Sequence, residues 1–214
     1  MIALRPESVS VGTPAKGALK EAVSFPSSGT GFVTYSTLGN LMGRQFVHSR
    51  VRDTLLETFA VLDRSAPDRT FVLGETGLKR GGRIRPHRTH QNGLSVDIFM
   101  PVRDGSSRRV LIPTSPWNTF GYGLDFDASG RMEGLAIDFD SVAELLVETS
   151  RQAERHGLAL ERIIVAPEYV DRVLSAKGPG IRALSALFMR TPAWVRHDEH
   201  IHLDFRVVAR SNPG

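Results

Sequence analysis

The stretch HIHLDFRVV, beginning at His200, alternates apolar Ile201, Leu203, Phe205 and Val207 with polar His200, His202, Asp204 and Arg206. A period of two marks a strand with one face in the core. Successive Cβ atoms of a strand point to opposite faces, so HxH on a strand sends both imidazoles out of one surface, which it would not do on a helix. The fold must therefore put an apolar layer under one face of this strand and find a use for two histidines on the other.

His197, His200 and His202 lie together in HDEHIHLDF, and His87 and His90 stand just ahead of Asp97 in RIRPHRTHQNGLSVDIFM. Five of the seven histidines thus occupy two segments. In the second segment Leu94, Val96, Ile98 and Met100 alternate with Ser95, Asp97 and Phe99, which predicts another strand with Asp97 on its less apolar face. If the two strands are neighbours, His90, Asp97 and His202 converge.

A catalytic zinc ion takes three such ligands and keeps a fourth position for water. His200 would then stand beside the open position, with His197 as a second group able to move a proton or stabilise an oxyanion. The competing reading is an exposed sheet face whose histidines are ordinary polar groups. The chain has no cysteine, which removes disulfides, thiolate metal sites and a cysteine nucleophile together, so any metal is held by nitrogen and oxygen.

With 214 residues, 41% of them hydrophobic, the chain suits one domain over 1–214. Residues 1–45 are rich in Gly, Ser, Thr and Pro and read as a loop-rich wrap. Val51, Leu55, Phe59 and Leu62 follow helical spacing. A second helix is expected from Ser141 to Gly157, with Ser141 and Glu144 as a capping box, Asp138 or Asp140 as another cap for it, and Val142, Leu145, Leu146, Thr149 and Ala153 on its buried face. TFVLGE and RIIVA read as strands, PEYVDRVLSAKG and IRALSALFMR as short helices, and the Gly-rich stretch 113–134, bearing Trp117, Phe120 and Tyr122, as a long loop. The fold class is α+β, a small antiparallel sheet bearing the site and flanked by helices.

The net charge of +4 favours an anionic partner. Lys79, Arg80, Arg83, Arg85 and Arg88 near His90 suit a substrate with free carboxylates, or form a solvated loop. No aromatic interleaving or nucleic-acid motif accompanies them, so nucleic acid is not an expected partner. No apolar run reaches the roughly 18 residues of a transmembrane segment. The opening residues MIALRPESVSVG lack the apolar run of a signal peptide, so an exported location would require a leader not present in this chain.

SVGTPAKGAL, GRIRPHRTHQNGLSVDIFM and HDEHIHLDFR resemble, in order and spacing, segments of the penicillin-insensitive murein endopeptidases, members of the LAS group of zinc peptidases that includes lysostaphin-type and D-Ala-D-Ala enzymes. The resemblance runs over roughly residues 8 to 207. It implies a LAS/hedgehog-like fold, Zn²⁺ held at His90, Asp97 and His202, and His200 acting at the reacting carbonyl. His87 and His197 match family histidines, with a role in the site or, for His87, as a further metal ligand left open.

The implied activity is hydrolysis of D-alanyl to meso-diaminopimelyl cross-links between peptidoglycan stem peptides, in the periplasm or outside the cell. Relatives carry cysteines, and this chain has none. Glu199 precedes His202 by three residues, as in the ExxH dipeptidase branch, but strand alternation turns it away from His202 unless the strand start re-aims it. A carboxypeptidase trimming stem-peptide ends and a non-catalytic zinc-bearing binding module are the alternatives. Oligomeric state is not legible.

Overall fold

Both alternating segments form strands, and they lie side by side. In a computed structural model, which describes residues 6–36, 39, 42–84 and 87–208, a six-stranded sheet contains, in chain order, β1 (Ser28–Gly29), β2 (Phe32–Thr34), β3 (Phe71–Leu73), β4 (Ser95–Phe99), β5 (Leu158–Ile164) and β6 (His200–Val207). The spatial order is β5-β6-β4-β3-β2-β1. The register of β6 on β4 pairs His200 with Phe99, His202 with Asp97 and Asp204 with Ser95. Directly opposed residues of an antiparallel pair share a face, so Asp97 and His202 face the same way. Val96, Ile98, Ile201, Leu203 and Phe205 are buried on the other face, in one continuous core with Val51, Leu55 and Phe59.

The sheet differs from the small antiparallel one expected. It has six strands, and β2 runs parallel to β3. A parallel pair needs a long crossover, usually helical. Here the connection contains α1 (Ser49–Ser65). A separate four-stranded sheet joins Arg109–Val110, Val102–Asp104, Leu135–Ile137 and Arg131–Met132 in that order.

Helix α1 buries Val51, Leu55, Phe59 and Leu62, the positions its periodicity marks. It packs against α2 (Phe139–Arg155), which also lies on β5. Helix α2 corrects the expected capping box. Its N-cap is Asp138, whose carboxylate accepts from the Ser141 amide at 3.3 Å and the Ser141 hydroxyl at 2.8 Å, while Glu144 turns outward to Arg69. Both Asp138 and Ser141 are good caps by type. Asp138 is also held by Arg103 at 2.7 Å and Arg109 at 3.4 Å, both from the second sheet. The two histidines outside the cluster end helices, His48 as the N-cap of α1 and His156 as the C-cap of α2. PEYVDRVLSAKG yields a 3-10 turn and α3 (Val170–Ser175), and IRALSALFMR a 3-10 helix over Ile181–Leu187.

The N-terminal wrap contains a hairpin, Val9–Thr13 with Lys16–Lys20. It straps down the loop that carries His90: the Gln91 amide donates to Pro14, the Ser10 hydroxyl to Asn92 and the Leu19 amide to Arg80. Gly81 makes the close approach possible. Its φ is 70°, and a Cβ there would lie 2.2 Å from the Gln91 carbonyl and 2.7 Å from the Leu19 nitrogen.

Burial opposes ionisation of Asp138, but its bonds to Ser141 and Arg103 hold the carboxyl below the usual range. A depressed folded-state pKa contributes stability that is complete above the unfolded value and lost as pH falls through the folded one. Asp138→Ala should therefore cost about 1 kcal/mol at pH 7, with the gap from the parent protein closing below about pH 4. Urea unfolding at both pH values checks this.

Candidate metal centre

Asp97 is the hub of the site. Its side chain is fully buried, and burial of an unpaired carboxylate is costly. His202 Nδ1 faces its Oδ1 at 2.8 Å and His90 Nε2 faces the same oxygen at 3.3 Å. At Oδ2 the Tyr122 hydroxyl donates at 3.0 Å, with His200 Nε2 at 3.8 Å and His87 Nδ1 at 3.9 Å. Strand β4 contributes the acid, β6 two imidazoles, and the loop before β4 the other two. His87, His90 and Asp97 each offer a ligand atom within 4.8 Å of the others, a group that can hold a metal ion.

Hydrogen bonding fixes which nitrogen is free. A carbonyl only accepts, so the bond at 2.8 Å to Thr76 places the proton of His90 on Nδ1. His90 Nε2 then presents a lone pair to Asp97 and, although buried, has no hydrogen-bond partner among the described residues. Two acceptors 3.3 Å apart repel unless a proton or a cation lies between them. His90 holds this aim with φ at 67°, in the left-handed region. A cation therefore fits the donors present.

The electrostatics agree. Burial opposes charge on Asp97, but the surrounding histidines keep its carboxyl well below the usual range. At His202 burial is outweighed by the bonds to Asp204 and Asp97, which raise the imidazole to about 9. His200 is also raised, since Asp97 and Glu199 overcome its burial. This is a place that favours positive charge. His87 and His197, pushed down by burial to about 4 and about 3, are neutral at pH 7, the form in which imidazole binds metal.

A cleft of about 450 Å³ opens onto the cluster. His87 and His200 line it, whereas His90, Asp97 and His202, each at most 1% exposed, lie behind. His197 is buried with its ring 4.6 Å from that of His200, held by an Nδ1–H bond of 2.8 Å to the Val195 carbonyl. All six residues singled out from the sequence thus fall in one cluster. Phe120 and Tyr122 form part of the cleft wall, but Trp117 does not line it and is 96% exposed. Arg85 lies outside the described residues. The other cations of its run do not line the cleft, where Arg44 and Arg196 stand instead.

Glu75 escaped the sequence reading, and Tyr122 and Glu199 were seen without the contacts they make. Glu75 is buried in the cleft wall, with Arg44 and the Tyr35 hydroxyl each 3.3 Å from Oε2, and burial raises its carboxyl. An acid ending the TFVLGE strand was its only signal. Tyr122 was visible as an aromatic but not as a donor to Asp97. Glu199 precedes the first strand residue, so alternation does not govern it, and its carboxylate turns to accept from His200 Nδ1 at 2.9 Å.

Comparison with known proteins adds the family context. The family model described as penicillin-insensitive murein endopeptidase matches residues 10–212. A curated penicillin-insensitive murein endopeptidase of Klebsiella pneumoniae strain 342 is 25% identical over 209 residues, covering 94% of this chain and 68% of the relative. The protein of the same name from Klebsiella pneumoniae subsp. pneumoniae strain ATCC 700721 / MGH 78578 matches with the same identity and coverage.

Gly74 leaves room for the hub. A Cβ there would lie 2.8 Å from the Tyr122 hydroxyl and 3.0 Å from Asp97 Cβ. Gly74→Ala should push both aside, destabilising the fold by about 1–3 kcal/mol and weakening divalent-metal binding. Thermal unfolding and metal titration read the two effects separately.

Proposed function

The chain belongs to the penicillin-insensitive murein endopeptidase family, and from that premise we propose that it is a zinc-dependent peptidase hydrolysing D-alanyl to meso-diaminopimelyl cross-links in peptidoglycan. The observation that carries the metal part is the free, buried Nε2 of His90 aimed at the carboxylate that also meets His202 across the sheet. On this reading His90 through Nε2, Asp97 through Oδ1 and His202 through Nδ1 hold the ion, with His87 the remaining imidazole in reach. Held there, zinc would supply Lewis-acid polarisation of a carbonyl and a water that is nucleophilic near neutral pH.

The rest is done by side chains of the cleft. Glu199 accepts from His200 Nδ1 and so turns His200 Nε2 toward the cleft side of Asp97. His200 donates from that nitrogen to the scissile carbonyl oxygen as charge develops there, while neutral His197, whose proton sits on Nδ1, accepts the proton of the attacking water at Nε2 and passes it to the leaving amine. Tyr122 keeps its proton, since burial and the nearby Asp97 raise its hydroxyl well above the usual range. It serves to hold Asp97 in place. Arg44 and Arg196 line the cleft already paired, Arg44 with Glu75 and Arg196 with Asp125, Glu168 and Asp198, and so shape its wall. No serine or cysteine nucleophile takes part, so a β-lactam finds nothing to acylate.

The LAS/hedgehog-like fold, a single domain over 1–214 and a periplasmic or secreted location belong to the same proposal. No helix among the described residues is long and apolar enough to cross a membrane.

Purified cross-linked muropeptides should be split by the wild type and released as monomers. His200→Ala should retain zinc and lose about 10²–10⁴-fold in kcat. A chelator should abolish cleavage, and added zinc should restore it. Cleavage of linear stem peptides alone would make the protein a carboxypeptidase, and zinc binding without any cleavage would make it a binding module.

A further inference from the structure

Asp204 does not touch the cleft, and the mechanism above does not use it. It is nonetheless a carboxylate at 2% exposure in the middle of a sheet. Its surroundings account for its being there. The register places Ser95, Asp204 and Arg162 in one row across β4, β6 and β5, next to the row that pairs Asp97 with His202. Period two puts Asp204 on the same face as His202. Its Oδ1 accepts from the Ser95 hydroxyl at 2.6 Å and lies 3.0 Å from His202 Nε2, and Arg162 stands 3.9 Å from Oδ2.

His202 therefore has an acid at each nitrogen, Asp204 at Nε2 and Asp97 at Nδ1. Only one of these acids can be the hydrogen-bond partner of a neutral ring. A ring carrying both protons donates to both acids; a cation at Asp97 and His90 Nε2 would displace the proton on Nδ1, so the one that remains belongs on the Asp204 side. We infer that Asp204 is a positioning residue for the metal centre: it holds the proton of His202 on Nε2, fixes the ring plane and leaves Nδ1 as the metal-binding lone pair. The inference rests on the metal reading of the site proposed above. Carboxylates that hold a ligand histidine in this way typically contribute 10–100-fold to metal affinity. Ser95 in turn holds Asp204, so the row extends the site two residues beyond its ligands without reaching the cleft.

The test is the zinc dissociation constant of the full chain, measured by chelator competition, for the wild type, Asp204→Asn, Asp204→Ala and Ser95→Ala. Asp204→Ala should bind zinc about 10–100-fold more weakly. Asp204→Asn keeps an acceptor oxygen for the Nε2 proton and should recover part of that loss, and Ser95→Ala should show a smaller loss. The visible absorption of bound cobalt(II) should shift in Asp204→Ala, because the His202 ring is released. Lower thermal stability with wild-type zinc affinity in every variant would mean that Asp204 only holds the sheet together, and would overturn the inference while leaving the metal site standing. Should Asp204→Ala fail to fold, wild-type affinity in both Asp204→Asn and Ser95→Ala overturns it equally. A wild type that takes up no zinc removes the metal reading and the inference together.

Discussion

The register between β4 and β6 is the constraint on which the site depends. It sets Asp97 opposite His202, so an acid and an imidazole 105 positions apart meet at 2.8 Å without any loop having to find them. A slip of one residue would exchange Asp97 for Val96 or Ile98 and turn every site residue of one strand into the core. The apolar face forbids that slip, because Val96, Ile98, Ile201 and Leu203 are fully buried beneath the two strands. Packing on one face thus enforces chemistry on the other. The same hydrophobic contacts that stabilise the domain hold the acid and the imidazole at bonding distance.

What lies outside the two strands is held by different means. His87 and His90 come from a loop with no regular structure, and such a loop would ordinarily let an imidazole wander. Here the N-terminal hairpin ties it by backbone hydrogen bonds on both sides of Gly81, and the Thr76 carbonyl fixes the His90 ring. The left-handed backbone at His90 is strain that those contacts sustain. The stretch that reads as a passive wrap is therefore part of what aims the site.

Alternation made the two strands and the facing of Asp97, His200 and His202 legible from the sequence, because period two is a local property that tertiary packing rarely overrides. The helices were legible for the same reason, except at the start of α2. There Asp138 and Ser141 compete as caps, and two arginines from another sheet hold Asp138. The parallel pairing of β2 with β3 was hidden because it depends on where the crossover helix packs, which no window of sequence contains. Asp204 was visible as a polar residue on the histidine face, but its bonds to Ser95 and His202 required the register to be known. Glu75 and Tyr122 meet Asp97 and its neighbours through long-range contacts that spacing does not encode.

Strand β6 enters the sheet between β4 and β5, although it is the last of the six in the chain. A ribosome delivers the edge strands and both long helices well before it delivers this central one. Until β6 arrives, β4 and β5 each present an unpaired edge, and Asp97 has neither imidazole from the final strand. Closing the sheet joins segments far apart in the chain, an entropic toll that comes due late in folding. The pairing of Asp97 with His202 and a complete core consequently appear in the same event. A chain interrupted before His200 would be unfinished as a fold and would lack both imidazoles that β6 brings to Asp97, a form of latency that needs no inhibitory segment.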